Sequence, residues 1–267
     1  MLQYPQVNPI AFNLGRIHVH WYGLMYLFAF VSVWALANYR IRRQSWVPLK
    51  NNDEILDAIF YGAMGVIVGG RLGYMVFYDL PFFITHPWII VQVWDGGMSF
   101  HGGLIGVILA LLLFAHQRKI SFFNLIDFFA PLVPVGLGLG RLGNFINGEL
   151  WGRVTTSPIG MVFPNGGPWA RYPSQLIELF LEGICLFAFL WLLSIKRRPK
   201  MFVSAWFLIG YGICRIISEF FREPDPQYGY LAFNWLTMGQ ILCLPMLISG
   251  GILLYLSLKN KKGKKAK

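Results

Sequence analysis

A chain of 267 residues in which 56% are hydrophobic and only 13% are charged is not a soluble domain of ordinary composition. Apolar stretches of about 20 residues recur along it, the length that crosses roughly 30 Å of hydrocarbon, whereas the alternating segments of a membrane β-barrel are missing. The formal net charge of +11 does not indicate nucleic-acid binding, because the lysines and arginines cluster beside the apolar stretches.

The apolar stretches predict an all-α, polytopic membrane protein that forms a single integral membrane domain over residues 1–267. Seven transmembrane segments are predicted, at about residues 19–39, 55–78, 97–115, 122–145, 174–195, 201–221 and 235–258. Segment 4 contains Pro131 and Pro134, so a kink is expected within it. The longest polar connection, residues 146–173, joins segments 4 and 5, and short elements outside the membrane are expected between helices.

The basic residues predict the orientation of the chain. Sixteen of the 23 lysines and arginines lie in clusters that follow segments 1, 3, 5 and 7, at residues 40–50, 118–119, 196–200 and 259–267. Because cytoplasmic loops carry the excess of positive charge, the N-terminus is predicted to be periplasmic and the C-terminus cytoplasmic. The basic residues left over are all arginines: Arg16, Arg71, Arg141, Arg153, Arg171, Arg215 and Arg222. A guanidinium binds phosphate or carboxylate in bidentate fashion, which lysine cannot do.

Three of these arginines are expected at similar depth. Arg71, Arg141 and Arg215 lie late in segments 2, 4 and 6, roughly 20–30 Å from the inner ends of those helices at about 1.5 Å per residue. They predict an anion site at the depth of the outer leaflet, where a phospholipid head group is the available anion. Glu149 and Glu219 are expected to act as counter-ions. The alternative is that arginine–carboxylate pairs only tie helices together.

Two stretches carry residues suited to chemistry. Residues 140–153, G-R-L-G-N-F-I-N-G-E-L-W-G-R, place ionisable side chains at the end of a membrane segment, where they are costly and suggest a functional site. The word S-F-H-G-G-L places His101 near the outer end of segment 3, and histidine readily takes a proton near neutral pH. A hydrogen-bonded packing histidine is the alternative. Histidines and acids never cluster at metal-ligand spacing, so no metal or cofactor is expected.

These two stretches closely resemble the phosphatidylglycerol–prolipoprotein diacylglyceryl transferases of bacterial inner membranes. Further agreement comes from H-W-Y-G-L-M-Y at 20–26, G-G-R-L-G-Y at 69–74, P-S-Q-L at 173–176 and Y-G-I-C-R-I-I-S-E-F-F-R at 211–222. The matches cover nearly the whole chain in order. The resemblance implies that the sn-1,2-diacylglyceryl group of phosphatidylglycerol passes to the lipobox cysteine of a prolipoprotein signal peptide, with release of glycerol phosphate on the periplasmic side of the inner membrane.

The resemblance also implies roles for individual residues. His101 is the expected general base, and Arg141 and Arg215 are expected to hold the phosphate and the charge that it gains. Tyr211 is expected beside them as a catalytic residue. The remaining residues that the resemblance implies for binding phosphatidylglycerol are Asn144, Glu149, Gly152, Tyr22 and Glu219. Arg71 and Arg222 are assigned in addition to binding its head group. The implied partners are phosphatidylglycerol, prolipoprotein signal peptides and membrane lipids, with no nucleic acid.

Two other function classes can be weighed against this one. A carrier or flippase for an anionic lipid would use the same arginines for binding, but alternating access needs polar residues along the full depth of the membrane. The inner halves of segments 2, 4 and 6 are nearly free of charge, which favours chemistry at one face. A purely structural subunit leaves the outer set of arginines unexplained.

Overall fold

The computed structural model describes residues 2–15, 17–78, 80–92, 96–224, 229–233 and 235–265, and most of them are helical. The helices are α1 (Trp21–Arg43), α2 (Asn52–Tyr78), α3 (Leu80–Thr85), a 3-10 helix (Pro87–Val91), α4 (Phe100–Gln117), α5 (Phe122–Phe129), α6 (Val133–Ile146), α7 (Ser174–Glu178), a π-helix (Leu179–Cys185), α8 (Leu186–Ser194), α9 (Phe202–Glu219) and α10 (Met238–Lys265). The strands are β1 (Leu2–Gln3), β2 (Ile10–Leu14), β3 (Ile17–His20) and β4 (Met161–Val162).

The helices have the lengths that a membrane requires. Among the described residues, six helical spans are long and apolar enough to cross a membrane, and the bent pair of α5 and α6 makes a seventh if it is counted as one span. The α7, π and α8 helices form one of the six, Ser174–Ser194. Each predicted segment overlaps one of these spans. The predicted all-α, multi-pass membrane architecture is therefore confirmed, and the direction in which the chain crosses stays a prediction.

The predicted kink in segment 4 is a break between α5 and α6. The two helices meet at an angle of 46°, with Pro131 in the break and Pro134 in the first turn of α6. Proline lacks the N–H of a helical hydrogen bond and its ring clashes with the preceding turn, so an apolar span that contains two prolines bends. Before the break, Asp127 accepts hydrogen bonds from the backbone N–H of Ser204 at 2.8 Å and from its hydroxyl at 2.5 Å. This contact ties α5 to the first turn of α9.

The chain divides into two compact units, Met1–Leu36 with Ile126–Lys267, and Ala37–Leu125. The single domain predicted for residues 1–267 stays a prediction. In the second unit, α2 and α4 pack at close range through glycines. A Cβ atom added to Gly69 of α2 would lie 2.7 Å from the Cα atom of Gly106 and closer still to the carbonyl oxygen of Gly102. Both neighbours are backbone atoms of α4, so only glycine allows this approach.

Short strands gather at one end of α6 in the first unit. Strand β1 pairs in parallel with β4, which lies in the 146–173 connection. The Tyr4 hydroxyl donates to the carbonyl oxygens of Phe145 and Ile146, at 2.6 and 3.0 Å. Burial raises the pKa of Tyr4, which therefore stays a neutral donor. Carbonyls at the end of a helix have no partner within the helix, so Tyr4 satisfies groups that would otherwise need water.

We predict that Gly69→Ala lowers the thermal stability of the purified protein in detergent. Its added methyl group must displace the backbone of α4, and forcing extra volume into a packed contact typically costs about 1–3 kcal/mol. The matched control is Gly62→Ala on the same helix, because a Cβ there meets nothing within 4 Å. Gly62→Ala should leave the unfolding temperature unchanged or raise it. Equal melting curves for the two variants would contradict the close packing of α2 on α4.

Candidate active site

Two arginines from different helices converge on a single carboxylate oxygen in the first unit. Arg141 of α6 places its Nε 2.5 Å from Oε2 of Glu178, and Arg215 of α9 places its Nη1 3.3 Å from the same oxygen. Glu182 provides a second acceptor, 4.0 Å from Nη2 of Arg141 and 3.6 Å from Nη1 of Arg215. Two guanidinium groups repel each other, and the buried carboxylates offset this repulsion so that both cations can lie close together.

The two glutamates are presented by an irregular helix. Glu178 ends α7 and Glu182 lies in the π-helix, and their side chains are 2% and 0% exposed. The π-helix adjoins α6 at a close contact, since a Cβ atom on Gly183 would lie 2.9 Å from the Cα atom of Gly138. π-turns inside helices are frequent at functional sites. Neither residue was predicted from the sequence, although two acids one helical turn apart in an apolar segment are a signal of a functional site.

The other end of the Arg215 side chain contacts a third acid. Its Nη2 donates to Oε1 of Glu219, one turn further along α9, which is the counter-ion role predicted for Glu219. The second carboxylate oxygen accepts from the Thr237 hydroxyl at 2.8 Å. Arg215 is therefore held from two sides, by the Glu178 and Glu182 pair and by Glu219.

Glu149 was predicted to be a counter-ion of an arginine, whereas its carboxylate contacts side-chain amides. Its Oε1 accepts hydrogen bonds from the side-chain amides of Asn144, at 2.9 Å, and Asn147, at 3.3 Å. The acidic partners of Arg141 are instead Glu178 and Glu182. Glu149 thus organises amide groups beside the arginines.

The backbone of the turn at residues 147–150 is fixed from the start of α7. Gln175 donates through Nε2 to the carbonyl oxygen of Glu149 at 2.6 Å, and the Ser174 hydroxyl donates to that of Leu150 at 2.9 Å. The turn contains two left-handed residues, Gly148 with φ of 65° and Leu150 with φ of 57°. A left-handed non-glycine residue is strained and persists where its surroundings hold it. The P-S-Q-L word supplies that support.

Two of the seven arginines that lie outside the basic clusters bind backbone carbonyls. Arg153 donates to the carbonyl oxygens of Arg222, at 2.8 Å, and Glu219, at 3.0 Å, which caps the C-terminal end of α9. Arg171 donates to the carbonyl oxygens of Gly166 and Gly152, and it also pairs with the half-exposed Glu223 at 3.1 Å.

Gly152 lies where two backbone segments meet. Its N–H donates to the carbonyl oxygen of Tyr172 at 2.9 Å, and an added Cβ atom would lie 2.7 Å from that oxygen. The same Cβ atom would collide with the carbonyl oxygen of Phe221. Glycine is required here by close approach, so the structure gives Gly152 a packing role beside the expected ligand-binding role.

Three more predicted residues lie near the arginines of this unit. The ring of Tyr22 packs against Gly143 of α6, and its hydroxyl lies 3.1 Å from that of Tyr26. Tyr211, one turn before Arg215, packs against a core cluster formed by Ala130, Leu186, Leu190 and Val203. Burial lowers the pKa of Arg222, and the positive charges of Arg215 and Arg141 lower it further, so the three cations share one electrostatic environment.

The remaining two predicted residues belong to the second unit. Arg71, on α2, donates through Nη1 to the carbonyl oxygens of Gly96 and Gly97. His101 is an exposed residue in the first turn of α4, which begins after Ser99 caps it by accepting from the N–H of Gly102 at 3.2 Å. Arg16, the seventh arginine of the outer set, lies outside the described residues.

Residues 9–256 match the family described as prolipoprotein diacylglyceryl transferase. The chain belongs to that family. Proteins named phosphatidylglycerol–prolipoprotein diacylglyceryl transferase from Francisella tularensis subsp. mediasiatica strain FSC147 and subsp. novicida strain U112 are each 55% identical to it over 265 residues, 99% of this chain and 98% of theirs. A relative of the same name from subsp. tularensis strain SCHU S4 is 56% identical over 254 residues, 95% of this chain and 94% of its own.

Membership of the prolipoprotein diacylglyceryl transferase family confirms the resemblance found in the sequence. The match covers every predicted site residue, from Tyr22 to Arg222. It also covers Glu178, Glu182 and Thr237, which only the structure brings to the arginines.

We predict that Gly152→Ala destabilises the protein and that Gly140→Ala does not. The Cβ of Gly152→Ala would meet two carbonyl oxygens that cannot move without parting the 152, 172 and 221 segments, whereas a Cβ at Gly140 meets nothing within 4 Å. Alanine at Gly140, inside α6, should even stabilise by up to about 1 kcal/mol. Thermal unfolding of both variants in the same detergent checks this, and an unfolding temperature for Gly152→Ala as high as that of the control would contradict it.

Proposed function

We propose that this chain transfers the sn-1,2-diacylglyceryl group of phosphatidylglycerol to the thiol of a lipobox cysteine in a prolipoprotein, and releases glycerol phosphate. The observation that carries the proposal is the convergence of Arg141 and Arg215 on one oxygen atom of Glu178, within helices that can cross a membrane. Paired guanidiniums are suited to a phosphate group, which accepts several N–H donors at once. The names of the family and of the relatives support the choice of donor and acceptor.

The reaction places its electrostatic demand on the phosphate. A thiol with a pKa of about 8.5 loses its proton, and its sulfur forms a bond to the carbon that carries the phosphate ester. The bond between that carbon and the ester oxygen breaks, and its electron pair leaves on the phosphate. The phosphate thereby changes from a diester with one negative charge to a monoester that can carry two. Fixed cations that meet this added charge stabilise the transition state more than the ground state.

The two arginines are arranged for this task. Their side chains are 20% and 13% exposed, while Glu178 and Glu182 are almost completely buried. The carboxylates therefore hold the guanidiniums from the interior, and the remaining N–H donors of Arg141 and Arg215 are assigned to the phosphate. Because the cations are positioned before the substrate arrives, little reorganisation is needed as charge develops.

The other site residues complete the proposal. His101 takes the thiol proton as general base, and Tyr211 lies beside the arginines. Asn144, Glu149, Gly152 and Tyr22 bind the glycerol and phosphate end of phosphatidylglycerol. Glu219, Arg71 and Arg222 are further residues that we assign to the binding of phosphatidylglycerol. We place the protein in the bacterial inner membrane with this site facing the periplasm. Basic clusters such as Arg40, Arg42 and Arg43 at the end of α1 are typical of the cytoplasmic ends of membrane helices.

The test is an assay of purified protein with phosphatidylglycerol vesicles and a lipobox peptide. We expect the unaltered protein to convert the peptide to its diacylglyceryl thioether, seen by mass spectrometry, and to release glycerol phosphate in equal amount. Arg141→Ala should lower turnover by about 10²–10³-fold, the usual effect of removing a donor that stabilises developing charge. Arg141→Lys, which keeps the charge and loses the fork, should also be impaired and guards against a folding defect in the first variant.

The matched control is Arg118→Ala, which removes an arginine from an exposed pair with Asp57. Exposed pairs contribute little, so turnover should be unchanged. Undiminished turnover in both Arg141 variants would contradict the assigned role. Movement of phosphatidylglycerol between leaflets without glycerol phosphate release would instead identify a carrier.

A further inference from the structure

Helix α10 begins with a capping box at residues 237–240, T-M-G-Q. The backbone N–H of Thr237 donates to Oε1 of Gln240 at 3.0 Å, and the backbone N–H of Gln240 donates to Oγ1 of Thr237 at 3.3 Å. This reciprocal pattern satisfies N–H groups that have no partner within the helix. Both side chains are buried, with 3% and 4% exposure, so the cap is part of the interior rather than of a solvated surface.

The capping hydroxyl has a second contact. Because the oxygen of Thr237 accepts from the Gln240 N–H, its own hydrogen remains for donation. It donates to Oε2 of Glu219 at 2.8 Å, and the other oxygen of that carboxylate accepts from Nη2 of Arg215. A continuous series of hydrogen bonds therefore runs from the cap of α10, through a buried carboxylate on α9, to one of the two converging arginines.

Gly239 makes this contact possible. A Cβ atom at this position would lie 2.6, 2.7 and 3.0 Å from the three atoms of the Glu219 carboxyl group. The carboxylate therefore lies directly against the first turn of α10, where the N–H groups carry partial positive charge and stabilise an anion. The positive end of α10 is occupied by a side chain of the protein itself.

Glu219 also orients the guanidinium group of Arg215. Nη1 of Arg215 is drawn towards Glu178 and Glu182, and Nη2 is drawn in the other direction by Glu219. If Glu219 moved, the guanidinium would turn towards the remaining acid pair, and the donors left for a phosphate would change direction. The fixed place of Glu219 is thus a condition for the orientation of Arg215.

We infer that Thr237 and Gly239 are positioning residues for the transfer reaction. They hold Glu219, and through it they hold Arg215 in the orientation that meets the phosphate of the lipid substrate. Gln240 supports them by fixing the cap. The inference rests on the proposed function, because the phosphate in question is that of phosphatidylglycerol.

The first experiment compares three variants in the transfer assay. Thr237→Val removes the hydroxyl at nearly constant volume and should lower kcat about 10-fold or more, the size expected for losing a hydrogen bond to a charged group, with KM for the peptide unchanged. Thr237→Ser keeps the hydroxyl and should restore kcat. The control is Ser218→Ala, because the buried Ser218 hydroxyl adjoins Glu219 in sequence but donates to the carbonyl oxygen of Cys214, and turnover should stay near that of the unaltered protein.

A double-mutant cycle separates positioning from simple capping. If Thr237 acts through Glu219, Thr237→Val should add no further loss of kcat in a Glu219→Gln background. A cap that only stabilised α10 would lower kcat equally in both backgrounds. Gly239→Ala provides an independent test that leaves the hydroxyl in place. It should lower kcat, whereas Gly251→Ala on the same helix should not, because a Cβ at Gly251 meets nothing within 4 Å.

The outcomes distinguish the inference from the function on which it rests. If the unaltered protein releases no glycerol phosphate, the proposed function fails and the inference falls with it. If the unaltered protein is active, normal kcat in Thr237→Val and Gly239→Ala overturns the inference alone. Additive losses in the cycle, or a Thr237→Ser variant as slow as Thr237→Val, overturn it as well.

Discussion

The structure of the larger unit depends on a carboxylate oxygen that two guanidinium groups share. Without Glu178, Arg141 and Arg215 would be neighbouring like charges in a weakly polar interior, where repulsion is strong and hydration is lost. Breaking a buried ion pair by removing one partner typically costs about 3–5 kcal/mol, because the other partner stays buried without compensation. Removing any one arginine or acid of this cluster therefore leaves another buried charge without its ionic partner.

The irregular features of the helices lie on the elements that bring this cluster together. The bend between α5 and α6 precedes Arg141, and the π-helix contains Glu182. Regular helices would present side chains at fixed spacing, while a break and a π-turn re-aim them at the cost of some helical hydrogen bonding. The glycine contact between Gly138 and Gly183 brings the two irregular spans close enough for the arginine and the acids to meet.

The sequence predicted the parts that follow from general constraints on membrane chains. Spans follow from hydrophobic length, the bend follows from Pro131 and Pro134, and Arg141, Arg215 and Glu219 stood out as ionisable residues in apolar segments. Glu178 and Glu182 were not predicted, because segment 5 was identified only as an apolar stretch of membrane-spanning length. The π-helix could not be predicted, because it occurs together with a tertiary contact between Gly138 and Gly183. The conformational preferences of the local sequence do not encode such a contact. Arg153 and Arg171 were predicted only to lie outside the basic clusters, and the structure shows that they donate to backbone carbonyls. Sequence does not separate such carbonyls from anions as partners of a guanidinium.

The turn at residues 147–150 has a consequence for the thermodynamics of ligand binding. Its backbone is held by Ser174 and Gln175, and Tyr4 holds the helix end before it. The amides of Asn144 and Asn147 are already ordered by Glu149. A surface that is ordered before its ligand arrives loses little conformational entropy on binding, so more of the interaction free energy appears as affinity. In the proposed reaction, the turn at residues 147–150 is therefore already ordered when phosphatidylglycerol binds, and the conformational entropy lost on binding is mainly that of the flexible two-chain lipid.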